Sequence, residues 1–308
     1  MTNIKKIGLT ALAASLVSTS VFAGEVSVAG SASMTVEGYS GTAQNAGKGF
    51  SMGNQLTFTG GGELDNGLTV GISFVLDQGD NETDTTAGAG TAPFDSHSVS
   101  ISSDALGTLT MHGEGGSSAQ SALDTTAAGD IWDTFDNAAF TTGQTVKSSA
   151  AGGDIMVYTL PSMVDDLSVS VSYDPQQGTA ASSTAYGLTY TGVEGLSVSY
   201  GKGDASTGVS TTEADATTMK ASYAYGSFTV AYSNNDYQTA VANSDQETTS
   251  YKVSYTVSDE LSISYGQEEI EKENDADDAE FEAITVAYTS GGMTLTASAK
   301  ESTNAAHN

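Results

Sequence analysis

Four carboxylates fall between residues 124 and 136: Asp124, Asp130, Asp133 and Asp136, the last three at three-residue intervals around Trp132, the single tryptophan. Grouped acids can do acid–base work, hold a hard cation or set an electrostatic field. Hydrolysis would need partners that are missing. The histidines are His97, His112 and His307, and there is no Gly-x-Ser-x-Gly elbow. The absence of cysteine removes a thiol nucleophile, a thiolate metal site and a disulfide scaffold. The glycine runs at 60–62 and 113–116 are not followed by the Lys-Ser/Thr of a phosphate loop. The acids at 80–84 and 275–278 could take Ca²⁺ through hard oxygens, but neither stretch has EF-hand spacing, so no resident metal or cofactor is expected. A net charge of −29, from 38 acids against nine lysines and no arginine, excludes a nucleic-acid face. The plainest reading of the acids at 124–136 is a solvated surface loop whose aromatics touch a neighbouring subunit. Their spacing predicts a short helical turn with the carboxylates on one face and Ile131, Trp132 and Phe135 available to pin it.

The elements that would carry such a loop are strands. Leu167-Ser-Val169-Ser-Val171-Ser-Tyr173 alternates strictly, as do the stretches beginning at Leu196, Phe228 and Leu261. Alternation gives each strand one apolar and one small polar face. The pattern returns at Met293, and the repeat is 29 to 33 residues, one hairpin per period. The connections alternate in length. Asp65-Asn-Gly67, Tyr225-Gly-Ser227 and Ser290-Gly-Gly292 are tight turns, because Gly and Asn tolerate positive φ. Between them lie polar connections near 39–49, 79–95, 115–153, 175–183, 203–214, 235–246 and 268–278. One end of the sheet therefore carries turns and the other loops, the asymmetry of a transmembrane β-barrel.

The faces agree. The apolar face is one residue deep and punctuated by tyrosine, whereas a soluble sandwich would carry large core residues there. Tyr173, Tyr200, Tyr232 and Tyr265 are expected at one set of strand ends, and Tyr190, Tyr225, Tyr255 and Tyr288 at the other. Tyrosine has an apolar body and a wet tip, so two rows suit two membrane interfaces. The fold class is all-β: a transmembrane antiparallel β-barrel, its apolar face toward outer-membrane lipid. Residues 1–23 form an export leader, with Lys5 and Lys6, a short apolar stretch and a Val21-Phe-Ala23 cleavage site. Residues 24–308 form the barrel.

In its leader, its turn–loop alternation and its long third loop, the chain resembles the Gram-negative general-diffusion porins, above all the alphaproteobacterial type. The resemblance implies a 16-stranded homotrimeric barrel of the bacterial outer membrane, its third loop folded into the pore as a constriction. It implies a water-filled channel for small hydrophilic solutes and ions, and no enzyme. Fifteen strands are visible between residues 25 and 300, those on the loop side ending near 202, 234, 269 and 300. The tail from Glu301 reads as the start of another long loop, so the last strand is expected to be missing. Parity turns Lys220, Lys252 and Lys300 toward the lumen, with His112 and Glu114. Porins of this kind oppose loop carboxylates with wall arginines and often carry a Pro-Glu-Phe-Gly-Gly loop tip. Here both are absent, and a modest cation preference is expected. Two other readings are an outer-membrane enzyme built on a barrel, which would need a Ser/His pair at the lipid boundary, and a secreted β-rich adhesin or structural surface protein.

Overall fold

A computed structural model describes residues 25–39, 47–77, 94–135, 145–175, 181–206, 213–273 and 275–304. The leader, Asp136 and the acids at 80–84 lie outside them.

The chain forms fifteen long strands and one short ribbon. The first wall is β1 (Glu25–Tyr39), β2 (Gly47–Glu63), β3 (Thr69–Asp77), β4 (Ser96–Ser103) and β5 (Gly107–Glu114). The ribbon pairs β6 (Gly116–Ser117) with β7 (Ala151–Gly152) at the root of loop 3. Next come β8 (Ile155–Thr159), β9 (Leu167–Asp174), β10 (Ser183–Tyr190), β11 (Leu196–Ser206) and β12 (Glu213–Tyr225). The chain continues through β13 (Phe228–Thr239), β14 (Gln246–Thr256), β15 (Leu261–Lys272), β16 (Ala279–Ser290) and β17 (Met293–Thr303). The long strands form one antiparallel sheet in chain order, so each hairpin neighbour in sequence is a neighbour in space. Among the described residues, β1 and β17 each pair on one side. The sheet nevertheless curls round, because Glu37 of β1 lies close enough to Lys300 of β17 to act on its charge.

The tight turns follow from local chemistry. Gly67, Gly107, Gly195, Gly226 and Gly291 all have positive φ, and Asp166 takes the same region. At the 64–68 turn the Gly67 amide donates to the Leu64 carbonyl at 2.8 Å and the Leu68 amide to Asn66 Oδ1 at 3.1 Å. Register then carries one face around the sheet. Met34 opposes Met52, Leu56 opposes Leu76, Ile72 opposes Val99, Val99 opposes Met111, and Met111 opposes Met156. A one-residue slip would turn every one of these side chains to the other face.

Several strands run further than alternation predicts. Those expected to end near 202, 234, 269 and 300 continue to Ser206, Thr239, Lys272 and Thr303. Tyr200, Tyr232 and Tyr265 are therefore mid-strand rather than at strand ends. The extensions were hidden because the pattern inverts there. In Gln267-Glu-Glu-Ile270-Glu271 the outward positions are polar and Ile270 points inward, yet the β14–β15 register runs through unbroken. Two buried apolar clusters sit on this inner face. One joins Ile270, Ala279, Phe281 and Ala283 to Ile131 and Phe135 of loop 3; the other joins Ala214, Ala216 and Tyr237.

Candidate functional site: the constriction loop and its wall

Loop 3 begins where β5 is broken. A register irregularity between His97 and Ser98 disturbs the β4–β5 pairing, and Gly115 follows at φ +67. A side chain at Gly115 would strike the Ser96 Cβ, so only glycine lets the chain turn inward there. The β6–β7 ribbon closes the root of the loop, and the hydroxyls of Ser118 and Ser149 meet at 2.5 Å just inside it.

From there loop 3 crosses the inner face of nine consecutive strands, with a wall residue ready at each. The Ala119 amide donates to Ser172 Oγ of β9 at 2.9 Å. On β10 and β11 the wall residues are Gly187 and Gly201. A Cβ on Gly187 would meet the Ala119 carbonyl, and one on Gly201 would come within 3.1 Å of Gln120 Cα. Gln120 is fully buried; it donates to Thr218 Oγ1 of β12 at 2.8 Å and accepts from the Ser149 amide at 2.8 Å. Asn235 and Ser233 of β13 bond the Asp124 carbonyl and the Ala127 amide, each at 2.8 Å. Ser250 of β14 accepts from the Ala128 amide at 2.9 Å. On β15, Gly266 leaves room for Ala128, whose Cβ would stand 2.8 Å from any added carbon, and Glu268 accepts from the Trp132 amide at 2.9 Å. Phe281 of β16 packs on Phe135 with ring centroids 5.6 Å apart. Lys300 of β17 donates to the Thr134 hydroxyl. Buried backbone polar groups need partners. Here the wall supplies them through side chains, since its own backbone groups are occupied in the sheet.

The expected helical turn is present as a 3-10 helix over Ile131–Phe135, with Ile131 and Phe135 buried and Trp132 packed beside them. A second 3-10 turn, Ser121–Leu123, was not foreseen. Asp133 is exposed. Asp130 accepts from the Thr126 amide at 2.9 Å and so closes its own turn. Asp124 accepts from the Ser121 hydroxyl at 3.3 Å. Burial pushes the Asp124 carboxyl above the usual carboxylate range, and Asp130 adds to the rise. The hydroxyls of Ser148 and Ser121 and the charge of Lys220 oppose it.

The three lysines lie on the inner face, and their ammonium groups are engaged by loop 3. Lys220 Nζ donates to the Thr125 carbonyl at 2.5 Å and Lys252 Nζ to the Ala128 carbonyl at 3.4 Å. His112 lies on the inner face of β5 and opposes the buried Ile155, but Glu114 does not share its side as alternation predicts: the irregularity at His97/Ser98 pairs Glu114 with His97, on the outer face beside Phe74. The eight tyrosines of the two expected rows lie on the opposite face, Tyr225 the most exposed at 75% and Tyr200 half-buried. Tyr232 and Tyr251 pair with ring centroids 5.3 Å apart. Residues missed from sequence were Gln120, Ser172, Ser233, Ser250 and Glu268. The inner parity of the three serines was visible, but nothing distinguished them from other small polar residues until the loop lay against them; Gln120 belongs to the loop itself, and Glu268 fell where the sequence read as loop. Among the described residues no group of three His, Asp or Glu could hold a metal ion, and no helix is long and apolar enough to cross a membrane.

A sheet in strict hairpin order with a long loop folded against its inner face is the architecture that comparison with known proteins returns. The sequence profile of the Gram-negative porins matches residues 8–307. The chain belongs to the Gram-negative porin family. Solved structures similar to this porin share the fold at low identity. The anion-selective porin of Comamonas acidovorans is 17% identical with a TM-score of 0.61, over 87% of this chain and 85% of that one. A multiply substituted Rh. blastica porin is 16% identical with a TM-score of 0.61, over 89% and 94%. OmpT, an outer membrane protein of Vibrio cholerae, is 13% identical with a TM-score of 0.64, over 91% and 87%. No curated protein sequence matches. The porin is an antiparallel transmembrane β-barrel of the outer membrane that forms a channel, and family and fold alike are those of channels rather than enzymes.

Proposed function

We propose that this porin passes small hydrophilic solutes and ions passively through a water-filled lumen, with a modest preference for cations, as a homotrimer exported by residues 1–23. One observation carries the cation preference. The three inner-face lysines are each bonded to an oxygen of loop 3, while Asp133 of the same loop stands exposed. The facing wall adds no cation among its described inner-face side chains. It presents hydroxyls such as Ser31, Thr57, Ser73, Ser98 and Thr110, and the carboxylate of Glu37. A constriction that holds its ammonium groups against loop oxygens and exposes a loop carboxylate attracts cations. The exposed tyrosines act as the two membrane girdles, with the apolar outer residues between them against hydrocarbon. The test is the reversal potential of the protein in a planar bilayer under a KCl gradient. A potential of the sign set by K⁺ is expected, and one set by Cl⁻ would refute the preference.

A further inference from the structure

We propose that Glu268 is the positioning residue of the constriction: a wall carboxylate that fixes the acidic tip of loop 3 by gathering its hydrogen-bond donors. The inference rests on the pore reading for its consequence, though not for its geometry. Glu268 lies on the inner face of β15 and is completely buried. Its Oε1 accepts from the Thr126 hydroxyl, and its Oε2 accepts from the Trp132 amide at 2.9 Å with the Ile131 amide beside it. Thr126 Oγ1 accepts in turn from the amides of Gly129 at 3.1 Å and Asp130 at 2.8 Å, and Asp130 returns a carboxylate oxygen to the Thr126 amide. Residues 126–132 thus form a closed knot, in which Ser233, Ser250 and Lys252 hold Ala127 and Ala128 while Glu268 alone gathers donors from both of its ends, Thr126 and Trp132. The knot contains Gly129 at φ +95 and Asp130 at φ +54, a left-handed pair. Asp tolerates that region but does not favour it, so the turn needs an external hold.

Among the described residues no lysine forms an ion pair with Glu268, although Lys300 of β17 lies near enough to act on its charge. An unpaired buried carboxylate is costly unless several donors converge on it. Charge-assisted hydrogen bonds are about twice as strong as neutral ones and more directional. Ser233 and Ser250 hold their stretches of loop with neutral hydroxyls. At the tip, where Asp133 faces the lumen, the wall uses a charge.

The single tryptophan sits in the knot, so its fluorescence reports the tip directly. Wild type, Glu268→Ala, Glu268→Gln and Thr126→Val would be compared by Trp132 emission in detergent and by single-channel conductance in planar bilayers. Glu268→Ala should red-shift the emission and raise conductance about 1.5-fold, because the tip no longer narrows the lumen. Glu268→Gln should restore most of both, since an amide oxygen still accepts from the Trp132 N–H. A role exerted through charge alone would instead leave Glu268→Gln like Glu268→Ala, and that result overturns the proposal, as does Glu268→Ala with wild-type emission and conductance. Thr126→Val leaves the wall intact and decides the matter if Glu268→Ala does not fold: a red shift supports the anchor and an unchanged spectrum overturns it. Wild-type protein that conducts nothing refutes the pore reading alone, because the fluorescence still decides the anchor.

Discussion

The wall of β1–β5 and the wall of β9–β17 are built from the same alternating strands, yet they use their faces differently. On β1 and β2 the outer face, interrupted by Asn54, stays apolar nearly to the loop-side ends, where Val36 and Phe50 are 70% and 74% exposed. On β13 to β16 the outer face is apolar only beside the turns. Phe228, Val230 and Tyr232 give way to Asn234 and Asp236, and Ile284 gives way to Glu282 and Glu280. The inner face does the reverse. On β1–β5 it is mostly hydroxyl and glycine, whereas on β12–β16 its loop-side half carries Ala216, Tyr237, Ile270 and Phe281 under loop 3. The parity rule for a barrel therefore holds only within the depth of the hydrocarbon. Where loop 3 covers the wall, the strand becomes an ordinary soluble strand with its apolar side toward a protein core.

The comparison is broken most severely by removing that core. Phe281→Ala deletes the ring on which Phe135 packs and should cost about 3–5 kcal/mol of stability, read by denaturant unfolding in detergent, with Trp132 emission following. The same truncation at Phe50, which is 74% exposed, should cost far less. A smaller effect separates the levels of the outer face. Val230→Lys lies within the apolar band and should destabilise by about 2–4 kcal/mol, while Glu247→Lys, beyond the band, should cost about 0–1 kcal/mol. Equal penalties in a lipid-vesicle folding titration would mean that the band is taller than the sequence of outer residues implies.

Charge effects come next. Lys252→Gln removes a positive charge from the inner wall while leaving an amide donor for the Ala128 carbonyl, so the reversal potential should move further toward cations at nearly unchanged conductance. An unchanged reversal potential would show that Lys252 does not contribute to the pore field. The smallest effect is at Asp124. Its folded carboxyl titrates above its unfolded value, so the stability it contributes is complete below the unfolded range and is lost as pH rises through the folded one. Asp124→Asn should therefore slightly stabilise the docked loop at neutral pH and leave acid stability alone. A loss of Trp132 protection at pH 7 in that variant would contradict this.

Much of this was legible without coordinates, for reasons that can be named. Strand class, strand number, turn chemistry and the facing of Lys220, Lys252 and Lys300 all follow from a period of two and from glycines at positive φ, which are properties of neighbouring residues. The helical turn at 131–135 was legible from its acid spacing and its apolar pins. The same local information failed where a strand changed environment along its length. Glu268-Glu-Ile270 looked like loop because its apolar residue was on the wrong side for lipid, and nothing nearby in sequence says that a loop 142 residues away will cover it. The lysines were expected on the lumen wall opposing the loop carboxylates, whereas their ammonium groups donate to carbonyl and hydroxyl oxygens of loop 3.

The sequence by itself determined a barrel with turns at one end and loops at the other, because hairpin register is set between residues a few positions apart. Only the tertiary structure decided how the lumen is narrowed. The path of loop 3 depends on nine strands each offering one small or hydrogen-bonding residue at a common level, and that level exists only once the sheet has curled. A serine that anchors a loop and a serine that faces water are the same residue until something is brought against one of them.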